Sequence, residues 1–144
     1  MKHKWFWWGF VLIWCGVIFS FSQFSMFTGA NTAKVIHHIA QYFGLEGTND
    51  HRDSGVFSWN FIIRKFAHLS AFGFLAFLVW KAVFPNRFSY IGAWCFTILY
   101  AASDEWHQSF RPGRTALFSD VLIDATGAFI VLLFIRFYIR TRRH

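Results

Sequence analysis

Residues 103–114, SDEWHQSFRPGR, lie between two long apolar segments and concentrate polar chemistry in an otherwise apolar chain. If this stretch is helical, Asp104 and Gln108 share one face, because side chains four residues apart lie over each other. Pro112 and Gly113 then predict a turn, since Pro fixes φ at one central turn position and Gly tolerates positive φ at the next. A polar site at the end of a helix is therefore expected. Its candidate residues are Asp104, Glu105, His107, Gln108, Arg111 and Arg114.

The composition is that of a membrane protein, because hydrophobic residues make up 56% and aromatic residues 23% of the 144-residue chain. The apolar residues fall in blocks of about 20, the length of helix that crosses the hydrocarbon core of a bilayer. We attribute the net charge of +7 to membrane topology and anionic lipids. Nucleic acid is not an expected partner, because no nucleic-acid-binding motif is present. Cys15 and Cys95 lie inside apolar blocks and predict neither a disulfide framework nor a metal site. One domain over residues 1–144 is expected.

Four apolar segments predict an all-α integral membrane protein, a four-helix transmembrane bundle. The first segment follows a short basic stretch, as in a secretory signal peptide, but residues 19–24 offer no clear small-residue cleavage site. We therefore interpret it as a retained helix whose far end carries Ser20, Ser22 and Gln23. In the next loop, residues 32–43 have helical apolar spacing, which predicts either an interfacial helix or a helix packed over the end of the bundle. The predicted spans are 5–24, 61–84, 88–103 and 119–138.

Charge asymmetry predicts the orientation of the bundle. With four spans, the N-terminus, the turn at Pro85 and the C-terminus share one side, which holds eight of the 14 Lys and Arg residues and none of the seven acids. The positive-inside tendency then predicts that both termini are cytoplasmic. The polar stretch is accordingly expected to face outwards in a multi-pass membrane protein.

The same topology brings polar groups from three segments to the outward end of the bundle. Lys65 and His68 begin the second span and share a helix face, whereas Asp120 and Asp124 begin the fourth. Asp120 suits the positive end of the helix dipole. Asp124 lies deeper, where ionisable groups pair with one another. The partners expected for Asp124 are Arg111, Arg114 and Lys65.

The polar stretch also resembles the signature of a known family. The residues that carry the resemblance are Asp104, Glu105, Trp106, His107, Gln108, Phe110, Pro112, Gly113, Arg114, Asp120 and Gly127. They look like the pattern of the VanZ-like family of small bacterial membrane proteins, as do the polar end of the first segment and the spacing of Lys65 and His68. Asp124 departs from that pattern, in which Asn is expected. The resemblance implies a bacterial inner-membrane protein of the cell envelope, in a family named after a protein associated with low-level teicoplanin resistance.

Ligand binding is the first of three functional hypotheses. Arg111 and Arg114 would clamp the phosphate of an anionic lipid headgroup or of a lipid-linked envelope precursor, and Lys65 would add a point charge. His107 or Gln108 would bond a hydroxyl group of the headgroup. Asp120 and Asp124 complete the predicted lining of the pocket.

Catalysis and a purely structural role remain the alternatives. A hydrolase or transferase would use Glu105 or Asp104 as general base and His68 or His107 as acid. The spacing His-Glu-x-x-His is absent, and we expect neither a metal nor another cofactor. In the structural alternative, the acids simply neutralise the bases and fix the helix register.

Overall fold

The computed structural model describes residues 3–23, 42, 59–110 and 117–142. These ranges form four α-helices and contain no strand, which confirms the all-α fold. The helices are α1 (His3–Gln23), α2 (Trp59–Val83), α3 (Ser89–Ser109) and α4 (Phe118–Thr141). The helix expected over residues 32–43 lies outside the described residues, apart from residue 42.

Three stretches within these helices are long and apolar enough to cross a membrane: Lys4–Gln23, Lys65–Val83 and Phe118–Thr141. Helix α3 falls short of this measure because its last turns carry the polar stretch. Its 21 residues nevertheless extend over about 32 Å at 1.5 Å per residue, which matches the bilayer core. The predicted span ends at residue 103, whereas helix α3 continues through polar residues to Ser109.

The turn between α2 and α3 is stabilised by Asn86. Its backbone carbonyl accepts the N–H of Ser89 at 3.0 Å, and its side-chain oxygen accepts the N–H of Phe88 at 3.0 Å. Pro85 directly precedes it, so α2 ends where the sequence predicted a turn. The short connection makes α2 and α3 antiparallel neighbours.

Contacts between α1 and its neighbours fix the direction of the first helix. The ring of Trp7 packs against Phe77, whereas Trp14 donates a hydrogen bond to the carbonyl of Ala71 at 3.0 Å. Residue numbers thus rise along α1 as they fall along α2, so these two helices are antiparallel. Such bonds to neighbouring carbonyls satisfy indole N–H groups that have no water partner within a bilayer.

Helices α2 and α4 run in the same direction and approach each other closely. A Cβ added to Gly127 would lie 2.3 Å from the carbonyl oxygen of Leu69, and one added to Gly73 would lie 2.9 Å from Val131 Cγ2. Small residues let transmembrane helices pack at such short distances. Gly127 is therefore a packing residue at the crossing of α2 and α4. Together with the antiparallel turn, these contacts place the start of α1, the Pro85 turn and the end of α4 at one end of the bundle.

Which side of the membrane holds that end remains a prediction, and cysteine labelling tests it. In a background lacking Cys15 and Cys95, Ser109→Cys should react with a membrane-impermeant maleimide in intact cells. The control, Asn86→Cys, should react only after the membrane has been permeabilised, because Asn86 lies at the opposite end. Both wild-type side chains are exposed, so accessibility within the fold does not limit either reaction. The reverse labelling pattern would invert the predicted orientation.

Candidate functional site

Polar side chains from all four helices meet at the end of the bundle opposite the Pro85 turn. We call this group the polar cluster, and its described members are Ser22, Gln23, Lys65, His68, Asp104, Glu105, His107, Gln108, Asp120 and Asp124. The structure thus brings together eight residues that the sequence analysis selected. Arg111 and Arg114, and the turn expected at Pro112 and Gly113, lie outside the described residues.

Asp104 is the centre of a hydrogen-bonded network between α1 and α3. Ser22 Oγ lies 2.6 Å and 2.8 Å from the two carboxylate oxygens, and Gln108 Nε2 donates to Oδ2 at 2.8 Å. All three side chains are buried. Helix α3 extends through the polar stretch as far as Ser109, and the bond from Gln108 confirms that Asp104 and Gln108 share a face. Because both oxygens of Asp104 are engaged by protein donors, this arrangement does not favour Asp104 as a general base.

A second contact between the same helices joins Gln23 and His107. Gln23 Nε2 lies 2.6 Å from His107 Nε2, so the amide of Gln23 contacts that ring nitrogen. The ring of Phe19 packs beside His107 at a centroid distance of 5.0 Å. His107 therefore has one nitrogen committed to α1.

Glu105 connects α3 to the beginning of α4. Its Oε2 accepts the backbone N–H of Leu117 at 3.2 Å, and Leu117 is the residue that precedes the first turn of α4. The first N–H groups of a helix have no partner within it, so carboxylates close to this end are stabilising. Glu105 is buried and links α3 to the residue that precedes α4.

Lys65 and Asp120 form an ion pair between α2 and α4. Both side chains are largely buried, with exposed fractions of 19% and 14%, and Ser119 Oγ lies 3.3 Å from the same carboxylate oxygen. Asp120 lies in the first turn of α4, as the helix-dipole argument predicted. This pair fixes the register of the two parallel helices at the polar end.

One turn deeper, Asp124 faces His68. The distance from His68 Nδ1 to Asp124 Oδ1 is 3.6 Å, and the Asp124 side chain is only 1% exposed. The partners expected for Asp124 were Lys65, Arg111 and Arg114. Among the described residues His68 takes this place, because Lys65 reaches Asp120 one turn closer to the helix end. Helical spacing predicts the face on which His68 lies, but it does not predict the rotation of α4 that turns Asp124 towards His68.

The sequence analysis did not identify the backbone N–H of Leu117 as a contact of the polar cluster. It noted Ser22 and Gln23 as the polar end of the first span and as part of the family resemblance, but it named no partner for either. The topology could have identified Ser22 and Gln23, because the C-terminal ends of α1 and α3 lie at the same end of the bundle. A backbone donor such as Leu117 leaves no such signal, since every residue except Pro carries one.

Metal binding is not supported within the part of the chain that the structure describes. No group of three or more His, Cys, Asp or Glu side chains there is arranged to hold an ion. The described polar cluster instead contains four carboxylates, two imidazoles and Lys65, linked by hydrogen bonds and ion pairs.

A four-helix bundle with apolar spans and a polar cluster drawn from every helix defines a membrane protein with a buried polar site at one end. The comparison with protein families identifies the class more closely, because the model of the VanZ/LLP1 family matches residues 7–139. The chain therefore belongs to the VanZ/LLP1 family, as the polar stretch had indicated. No curated protein and no solved structure matches the chain.

Proposed function

We propose that this protein is a bacterial cell-envelope protein of the inner membrane whose outward-facing polar cluster binds an anionic group. The ligand is the headgroup of a membrane lipid or of a lipid-linked envelope precursor. The observation that carries the proposal is the convergence of polar side chains from all four helices at one end of an otherwise apolar bundle. Ionisable groups within membrane segments are costly, and those retained there generally serve a function.

Two of the four described carboxylates, those of Asp104 and Asp120, have strong partners within the protein. Asp104 is satisfied by the neutral donors Ser22 and Gln108, and Asp120 is paired with Lys65. Hydrogen bonds to Asp104 therefore do not require the arginines of the polar stretch. Arg111 and Arg114 belong to the polar stretch of the sequence, and we assign them the phosphate.

The chemistry of guanidinium groups supports this assignment. A guanidinium group presents a rigid fork of N–H donors that matches two phosphate oxygens at once, and such charge-assisted bonds are stronger than neutral ones. A headgroup site at the membrane surface also agrees with the level of the polar cluster, which lies at the ends of the apolar spans. A contribution to low-level teicoplanin resistance is the corresponding proposal for the physiological role.

Native mass spectrometry in a mild detergent tests the binding proposal. Wild-type protein should retain phosphatidylglycerol over phosphatidylcholine, because only the former has a net negative headgroup. Arg114→Ala should lower the retention of phosphatidylglycerol about tenfold to a hundredfold, since a hydrogen bond to a charged group is worth about 1.5–3 kcal/mol. Arg140→Ala is the matched control, because Arg140 lies near the end of α4 at the other end of the bundle.

The structural alternative gives a different result in the same experiment. If the arginines only neutralise the acids, Arg114→Ala should lower the melting temperature without any selective loss of phosphatidylglycerol. Equal retention of the two lipids by wild-type protein would also contradict the proposed function.

A further inference from the structure

His68 and Asp124 face each other with two polar atoms that lack hydrogen-bond partners. Nδ1 of His68 and Oδ1 of Asp124 are buried and make no hydrogen bond in the described structure. Their separation of 3.6 Å is longer than a hydrogen bond, although it is within ion-pair range. Buried polar atoms without partners are unfavourable, and functional hydrogen bonds are often long in the absence of ligand and shorten when it binds. A small movement of either side chain joins the two atoms.

The carboxylate of Asp124 determines which nitrogen of His68 carries the proton. A carboxylate only accepts hydrogen bonds, so it favours the proton on Nδ1 and leaves Nε2 of the neutral imidazole as an acceptor. The two nitrogens of an imidazole point in divergent directions, and Nε2 is therefore directed away from Asp124. His68 is held in place by Phe72, whose ring lies nearly parallel to it at 6.2 Å, and a quarter of the His68 side chain is exposed.

The other candidates for bonding a hydroxyl group of the ligand are already engaged. Nε2 of His107 is committed to Gln23, and Nε2 of Gln108 donates to Asp104. His68 differs from both residues, because Asp124 faces its Nδ1 and its Nε2 lies on the other side of the ring. His68 also lies one helical turn from Lys65, and such side chains have Cβ atoms about 5–6 Å apart. When the phosphate of a headgroup binds beside Lys65, a nearby hydroxyl group of the same headgroup can therefore reach His68.

We infer that His68, positioned by Asp124, hydrogen-bonds a hydroxyl group of the bound headgroup through Nε2, so that the site selects phosphate-bearing headgroups that also carry glycerol or sugar hydroxyls. This inference rests on the proposed function and specifies its ligand. Asp124 acts through His68 and is a positioning residue. The carboxylate of Asp124 only accepts hydrogen bonds, so it gives His68 a fixed direction that an amide, which also donates, does not impose.

A pair of lipids that differ only in the hydroxyl groups of the headgroup tests the inference. Phosphatidylglycerol and phosphatidylethanol with identical acyl chains both carry one negative charge, but the ethanol headgroup has no free hydroxyl. Native mass spectrometry of wild-type protein with an equimolar mixture should show about a threefold to tenfold preference for phosphatidylglycerol, the effect of one net hydrogen bond. A third sample with a polyprenyl-phosphate sugar distinguishes a lipid-linked precursor from a glycerolipid as the preferred source of the headgroup.

Two variants assign the preference to the pair. His68→Phe should reduce the ratio of phosphatidylglycerol to phosphatidylethanol to about one while phosphatidylethanol remains bound. Asp124→Asn should lower the same ratio, whereas a purely structural role of Asp124 would reduce retention of both lipids equally. Ser109→Ala is the control, because the Ser109 hydroxyl is exposed and bonds only the carbonyl of Trp106 in its own helix.

The outcomes separate this inference from the proposed function. Equal retention of the two anionic lipids by wild-type protein would overturn the role of His68 and would leave an anion site without hydroxyl recognition. Failure of either lipid to be retained above phosphatidylcholine would overturn the proposed function as well. Because the wild-type comparison alone decides between these outcomes, the test does not depend on how well the variants fold.

Discussion

Replacement of Asp104 by Ala should lower the free energy of unfolding by about 2–5 kcal/mol, because two buried neutral donors lose their carboxylate acceptor at about 1–3 kcal/mol each. The substitution removes the acceptor of Ser22 Oγ and the nearer acceptor of Gln108 Nε2, which keeps its 3.3 Å hydrogen bond to Ser22 Oγ, and both side chains remain buried. Unfolding in mixed micelles with increasing sodium dodecyl sulfate measures the difference. Asp104→Asn should cost less, because it keeps one acceptor oxygen.

Two serines of the same helix provide the matched control for this network. Ser22→Ala should lower the free energy of unfolding by about 1–3 kcal/mol, because it removes a buried hydrogen bond to a carboxylate. Ser20→Ala should change it by no more than about 0.5 kcal/mol, since the Ser20 hydroxyl is exposed and bonds the carbonyl of Gly16 in its own helix. Equal effects of the two substitutions would show that the Asp104 network does not stabilise the bundle.

Replacement of Gly127 by Ala should destabilise the bundle by about 3 kcal/mol, at the upper end of the range for overpacking. The new methyl group would lie 2.3 Å from the carbonyl oxygen of Leu69 and 3.0 Å from its carbonyl carbon and Cα. These are backbone atoms of α2, so the whole helix must move to relieve the contact. Because His68 and Asp124 lie within one turn of this crossing, the ligand preference should also be disturbed.

Gly92→Ala is the control for the loss of a glycine as such. Gly92 lies in α3, and a Cβ there would meet no atom within 4 Å. Since Ala is favoured over Gly in a helix by about 1 kcal/mol, this variant should be as stable as wild type or slightly more stable. Thermal unfolding of both variants in detergent compares them. A Gly127→Ala protein as stable as Gly92→Ala would contradict the close crossing of α2 and α4.

The number and placement of the helices could be predicted because the bilayer imposes a length on apolar segments. The third apolar segment predicted the length of its helix least well. Hydropathy ends that segment at residue 103, before the first charged residues, whereas helix α3 continues to Ser109. The helical face shared by Asp104 and Gln108 was nevertheless predicted correctly. Periodicity determines such neighbours within one helix, and their bond follows from it.

The partners of polar groups on different helices could not be predicted in the same way. The sequence placed Lys65, His68, Asp120 and Asp124 at one end of the bundle because spans alternate in direction. Which acid meets which base depends on the rotation and tilt of α2 against α4, and these follow from the close crossing at Gly127. The sequence analysis therefore expected Asp124 to pair with Lys65, Arg111 or Arg114. It did not name His68, which lies beside Asp124 in the structure.

The bond between Glu105 and Leu117 has a consequence for biogenesis. It joins residues only 12 positions apart, whereas Ser22 and Asp104 are separated by 82 positions and Lys65 and Asp120 by 55. Loops between near neighbours close at the lowest entropic cost. The contact between α3 and α4 is therefore expected to close before the two longer-range contacts when the chain folds.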